Sequence, residues 1–203
     1  KMLGRARTSL GEHNFFGLRW IIEKFNDRDV ERIREVGADR ACAEWILRCG
    51  GTVRMDDSRP AFADYNPFVE QMAEMSKAFN ARKMFLTHVH ADKACVTARG
   101  CRHFEGVNKL HDITFFDCKN LEDEGIDIMV KYVGKSLRSF ELSNCRHITP
   151  EGLKLLGGCS KLSSVVLTDL PQLSYQDWEK LMSRLTEKLP RDCQISCDIS
   201  NNH

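Results

Sequence analysis

The sequence predicts an α/β protein, a short solenoid of strand–helix units preceded by a small helical domain. Three observations support this. First, one pattern is written twice: Leu110, Ile113, Phe115, Cys118, Leu121, Gly125 and Ile126 recur 27 residues later as Leu137, Phe140, Leu142, Cys145, Ile148, Gly152 and Leu153. Second, apolar side chains at alternate positions in each copy mark a half-buried strand. Third, apolar residues from Phe15 to Cys49 recur at helical spacing instead. The 203 residues then divide into a basic presequence-like tail (1–12), an N-terminal helical domain (13–80) and a repeat domain (81–203).

The repeated pattern, L-x-x-I/F-x-F/L-x-x-C-x-x-L/I followed by E-G-I/L, is that of a leucine-rich repeat of the cysteine-containing kind. Cys118 and Cys145 stand where the chain leaves the strand, a tight position suited to a small side chain that buries its sulfur. Thr149 followed by Pro150 reads as a helix start, with a hydroxyl cap and a proline where no N–H is needed. Leu162, Val165, Leu167, Leu170 and Leu173 supply a third unit. Leu86, Val89, Ala91 and Ala94 upstream, and Ile195 with Cys197 downstream, supply degenerate end units, as capping of an open apolar face requires.

In chain order, Phe15, Leu18, Ile21, Ile22 and Phe25 form the apolar stripe of an amphipathic helix. Asp27 or Asp29 opens a second short helix carrying Val30 and Ile33 and ended at Gly37. A third starts near Asp39, buries Cys42, Trp45, Ile46 and Cys49, and stops at Gly50-Gly51. Cys42 and Cys49 lie two turns apart, too far for a disulfide. Thr52–Met55 reads as a short strand, Asp56–Pro67 as an irregular loop, Phe68–Lys83 as a helix and Tyr175–Leu189 as a terminal helix, with a frayed polar end at Ser200–His203.

Composition narrows the function classes. A formal net charge of +1 gives no polyelectrolyte signal and disfavours a dedicated nucleic-acid binder. Nine cysteines, an odd number, with Cys42, Cys49, Cys118 and Cys145 at repeat-core or helix positions, favour a reducing compartment. No apolar run is long enough to cross a bilayer. The opening Lys1, Arg5 and Arg7, with no acid before Glu12, resembles the tail of an organellar presequence.

Nothing in the sequence points to an enzyme or to a small-molecule substrate: no phosphate-binding loop, dinucleotide fingerprint or nucleophile elbow occurs. His88, His90, Cys95 and His103 are the cluster closest to a transition-metal set, but their spacing fits no standard zinc pattern, so exposed strand histidines are expected. Glu122, Asp123 and Glu124 read as a solvated helix start. What remains is a surface. Asp112, Thr114 and Phe116, then Ser139, Glu141 and Ser143, then Ser164, Val166 and Thr168 are the outward positions of adjacent strands, lining a concave face of the kind that binds protein, with Phe116 as its anchor.

The run from Asp29 to Gly37, with Asp39-Arg40-Ala41, Glu44-Trp45 and Leu47-Arg48-Cys49-Gly50, resembles the mitochondrial ATP synthase subunit s family, also called coupling factor B. The resemblance continues through Asp64-Tyr65-Asn66, His103-Phe104-Glu105-Gly106, Ile148-Thr149 and Leu167-Thr168-Asp169-Leu170-Pro171. It implies a non-enzymatic protein peripheral to the matrix side of the inner membrane, with helices followed by leucine-rich repeats, in contact with ATP synthase subunits and supporting proton-coupled ATP synthesis. It also implies a Mg2+ ion held largely by backbone carbonyls at the positions of Gly50 and Asp92, the latter a threonine in the family. A reactive cysteine pair associated with the family corresponds to Phe116 and Cys118, so one thiol is missing here and a vicinal dithiol mechanism does not carry over. A sister family with the same repeats implies a runner-up, an assembly factor binding membrane-arm intermediates of respiratory complex I. An F-box-type repeat adaptor is a third reading, which the N-terminal segment disfavours.

Overall fold

The computed structural model describes residues 13–56, 60–77 and 83–198, and side chains from residue 19 onward. The basic tail, the side chains of Phe15 and Leu18 and the end Ser200–His203 lie outside the described residues. Helices α1 (His13–Phe25), α2 (Val30–Val36) and α3 (Ala38–Arg48) lead into strand β1 (Thr52–Met55) and helix α4 (Tyr65–Lys77). Then come β2 (Leu86–Asp92), a 3-10 turn (Gly100–Phe104), β3 (Asp112–Phe116), α5 (Asp123–Val133), β4 (Ser139–Ser143), α6 (Pro150–Lys154), β5 (Ser164–Thr168), α7 (Tyr175–Lys188) and β6 (Gln194–Asp198). The strands form one sheet in chain order, β1 antiparallel to β2 and all others parallel. This is a short repeat solenoid, and both degenerate end units, at β2 and β6, are real strands.

Most elements follow local chemistry. The Asp29 carboxylate accepts from Arg32 N–H at 2.8 Å and so starts α2, while Gly37, at φ 84°, separates α2 from α3. Thr149 caps α6 with Pro150 in its first turn. Helix α4 departs from expectation: it begins at Tyr65, inside the stretch read as loop, and among the described residues ends at Lys77. Pro67 misled the reading, because proline is tolerated in a first turn, whose N–H groups have no helical acceptor.

The units are locked together at the strand ends. Lys93, Asp117, Asn144 and Asp169 each adopt a left-handed conformation (φ 52°, 47°, 53° and 51°) directly after a strand. Their N–H groups donate to the carbonyls of Phe116, Ser143, Thr168 and Asp198, the last residues of the neighbouring strands, at 2.8–3.3 Å. Asp and Asn tolerate this conformation better than most residues. The following Cys118 turns its thiol inward to donate to Ala91 O at 3.2 Å. On the helical side Asp123 reaches to the next unit, accepting from Thr149 N–H at 2.9 Å and from its hydroxyl at 2.6 Å. Asp123 is thus a bridge between repeats as well as an acid in the first turn of α5. Gly152 makes room for it, since a Cβ there would lie 2.2 Å from Asp123 Oδ1.

The repeats are unequal in length. The aligned residues His88, Asp112, Ser139, Ser164 and Gln194 are separated by 24, 27, 25 and 30 residues, yet the register is continuous. The differences are taken up opposite the strands, where α5 has 11 residues and α6 only 5.

The helices and the repeats share one core, in which Trp45, Phe68, Phe104, Phe115 and Phe140 are fully buried. Asn26, also fully buried, joins α1 to the rest. Its amide donates to Ile22 O (2.8 Å) and Cys95 O (2.7 Å), and its Oδ1 accepts from Trp45 Nε1–H and Thr97 N–H, both at 3.1 Å. Gly100 is required beside it, because a Cβ would stand 2.0 Å from Asn26 Oδ1. Helix α2, which buries no residue, is held instead by Arg32, whose guanidinium grips the buried Glu44 at 2.8 and 2.7 Å; Arg40 adds a third contact at 2.9 Å. His103 stacks on Trp45 with ring centroids 5.0 Å apart. Its Nδ1–H donates to Gly100 O at 2.9 Å, and burial pushes its pKa down to about 4.

Two outcomes follow. Asn26→Ala leaves several buried backbone and indole groups without partners and is expected to destabilise the protein by about 3 kcal/mol in urea unfolding. His103 binds a proton more tightly when unfolded, so its contribution is intact above pH 6.5 and falls away toward pH 4. The loss over that window approaches about 3 kcal/mol, and His103→Phe is expected to flatten that part of the stability–pH curve.

Candidate functional site: the open face of the sheet

Alternation along each strand sends Ile113, Phe115, Phe140, Leu142, Val165 and Leu167 into the core and their neighbours to the opposite face. Register then sets those neighbours in rows. Asp112, Ser139 and Ser164 form one; Thr114, Glu141 and Val166 the next; Phe116, Ser143 and Thr168 the third. All nine residues expected on this face lie on it together. Phe116 is 38% exposed, whereas Ser143 between its row neighbours is only 5% exposed and offers little contact area. Thr114 donates its hydroxyl to Glu141 Oε2 at 3.4 Å, a cross-strand pair in the middle of the face.

The face is wider than the nine residues. Strand β2 adds His88, His90 and Asp92, in register with Asp112, Thr114 and Phe116, and β6 adds Gln194, Ser196 and Asp198 beside Ser164, Val166 and Thr168. The signal was present in the degenerate end units, whose outward positions had only to be read by the same alternation.

His88, His90, Cys95 and His103 do not form one group. His103 is buried against Trp45, His90 is exposed on the face, and Cys95 lies beside Cys49, whose backbone carbonyl accepts from Cys95 N–H at 3.0 Å. The neighbouring Cys49 thiol lowers the pKa of Cys95. Cys118 and Cys145 are fully buried and turned to backbone carbonyls, so these two thiols act as packing groups. His88 instead meets two residues that the sequence keeps apart from it, His111 and Asp112.

Of the positions implied for Mg2+, Gly50 lies two residues before β1 and Asp92 is the last residue of β2, two residues beyond His90, the partner of Thr52 in the antiparallel β1–β2 ladder. Both are exposed, and Gly50 has φ 91°, a conformation that suits glycine. Their donors are all oxygens, the two main-chain carbonyls and the Asp92 carboxylate, and such a set fits a hard cation.

A second exposed region lies at the N-terminal helices, where Trp20 is 63% exposed and Ile21, Phe25 and Val30 are also open to solvent. No helix of the described residues is long and apolar enough to cross a membrane.

No family model matches the chain. Among curated proteins it is similar to the ATP synthase subunit s, mitochondrial, of Rattus norvegicus, 31% identical over 173 residues that cover 84% of this chain and 82% of the relative. The proteins of the same name from Bos taurus and Homo sapiens are each 29% identical over the same coverage. At this identity and coverage, the chain belongs to the family of mitochondrial ATP synthase subunit s.

Proposed function

We propose that this protein works in mitochondria in association with the ATP synthase, as a non-enzymatic component that binds other subunits through the open face of its sheet. The observation that carries the reading is the face itself: five parallel strands in unbroken register present polar side chains around one large apolar group, Phe116. An exposed aromatic ringed by hydrogen-bonding residues is the composition of an interface anchor. The names of the relatives point to the partner. The exposed apolar side chains of α1 provide a second point of attachment, and the protein sits peripherally on the matrix side of the inner membrane. Its contribution to proton-coupled ATP synthesis is then one of contact and positioning. The relatives' names lend nothing to the complex I reading, which the experiment below tests.

In the same reading the Gly50 and Asp92 oxygens hold Mg2+, which supplies electrostatic crosslinking of the turn before β1 to the end of β2. Asp92 lies at the margin of the face, in register with Phe116. Asp92 contributes a carboxylate, which strengthens attraction for a divalent cation over a carbonyl alone.

Affinity purification from gently solubilised mitochondria, with mass spectrometry of the co-purifying proteins, is expected to recover ATP synthase subunits. Recovery of complex I membrane-arm subunits in their place overturns the assignment. Phe116→Ala is expected to weaken capture about tenfold or more with the unfolding midpoint unchanged; unaltered capture moves the interface to α1. Mg2+ is expected to raise the melting temperature of the parent protein and to do so less for Asp92→Ala, and a melting temperature indifferent to Mg2+ removes the cation site.

A further inference from the structure

His88, His111 and Asp112 converge at one end of the open face. His88 and Asp112 are register partners on β2 and β3, and His111 immediately precedes β3. One oxygen, Asp112 Oδ2, stands 3.2 Å from His88 Nε2 and 2.7 Å from His111 Nδ1, and the three donor atoms all lie within 4.8 Å of one another. None is sealed in: the side chains of His88, His111 and Asp112 are 29%, 19% and 35% exposed.

Thr87 Oγ1 lies 3.2 Å from Arg54 O and 3.0 Å from His88 Nδ1, so the far nitrogen of the His88 ring is held while Nε2 is turned to the Asp112 carboxylate. A hydrogen bond at the far nitrogen is the outer support that metal-binding histidines use.

We propose that His88 Nε2, His111 Nδ1 and an Asp112 carboxylate oxygen form a binding site for a transition-metal ion, zinc(II) foremost. Two imidazoles and one carboxylate are a ligand set that suits zinc, and exposure leaves the fourth position for water or a partner's side chain. Tetrahedral zinc with bonds near 2.0–2.1 Å needs its ligand atoms about 3.3 Å apart; the two nitrogens stand 3.2 and 2.7 Å from the carboxylate oxygen and within 4.8 Å of each other. The site is separate from the Gly50–Asp92 oxygens in both place and ligand type, and it does not depend on the identity of the protein partner.

The test is titration of the full-length, reduced protein with Co2+ as a spectroscopic probe in excess Mg2+, followed by displacement with Zn2+. Expected is one Co2+ per chain, with visible d–d bands and no thiolate charge-transfer band, fully displaced by Zn2+. His88→Ala, His111→Ala and the isosteric Asp112→Asn are each expected to lower the affinity at least about tenfold while the circular dichroism spectrum is retained. Absence of Co2+ binding, a thiolate charge-transfer band or equal affinity in folded Asp112→Asn would each overturn the proposal.

Discussion

The structure depends on one buried amide. Asn26 lies at the end of α1, yet its hydrogen bonds reach α3 through Trp45 and the segment before the first repeat through Cys95 and Thr97. Every polar atom of an amide must be satisfied in such a place, and the partners must come to it, because the side chain is short. That requirement brings Trp45 beside Gly100, and Trp45 in turn gives His103 a ring to stack on. The helices and the repeats are thereby one unit rather than two bodies on a linker. The Glu44 carboxylate does the same for α2, and hydrogen bonding to it keeps the Arg32 guanidinium firmly charged.

From that anchor the sheet propagates by repetition. Each of β2 to β5 is followed by a left-handed residue whose N–H goes to the next strand, and two of these turns are followed by a cysteine directed inward. Placement of Phe116 and its neighbours on a single plane is a result of these turns, since a shift of one residue in any strand would exchange its outward and inward sets. Functional groups on the face inherit the precision of backbone hydrogen bonding, even where, as at His88 and His90, their own side chains are solvent-accessible.

What the sequence revealed and what it hid divide along physical lines. Period-two alternation disclosed the strands and the nine outward residues because it is a local property, and the Asp29 and Thr149 caps were legible for the same reason. Residues that act through pairing across strands were not. His88 stands far from His111 and Asp112 in the chain and meets them only through the β2–β3 register. Asn26 gave no periodic signal, since its partners come from three separate segments. The stretch Asp56–Pro67 reads as loop, although Pro67 stands in a helical first turn. The left-handed Asp117, Asn144 and Asp169 did leave a trace, an acid or amide before each Cys or Leu that closes a strand, but the trace has meaning only once the repeats are aligned.

Unequal repeat lengths have a consequence for how such a surface changes over time. Intervals of 24 to 30 residues coexist with unbroken register because the surplus is absorbed behind the sheet, by an 11-residue helix in one unit and a five-residue helix continued by a 3-10 turn in another. Insertions and deletions on that side are mechanically decoupled from the strands. The two sides of the molecule are free to diverge independently: the rear by changes of length, the front by substitution at fixed lattice points.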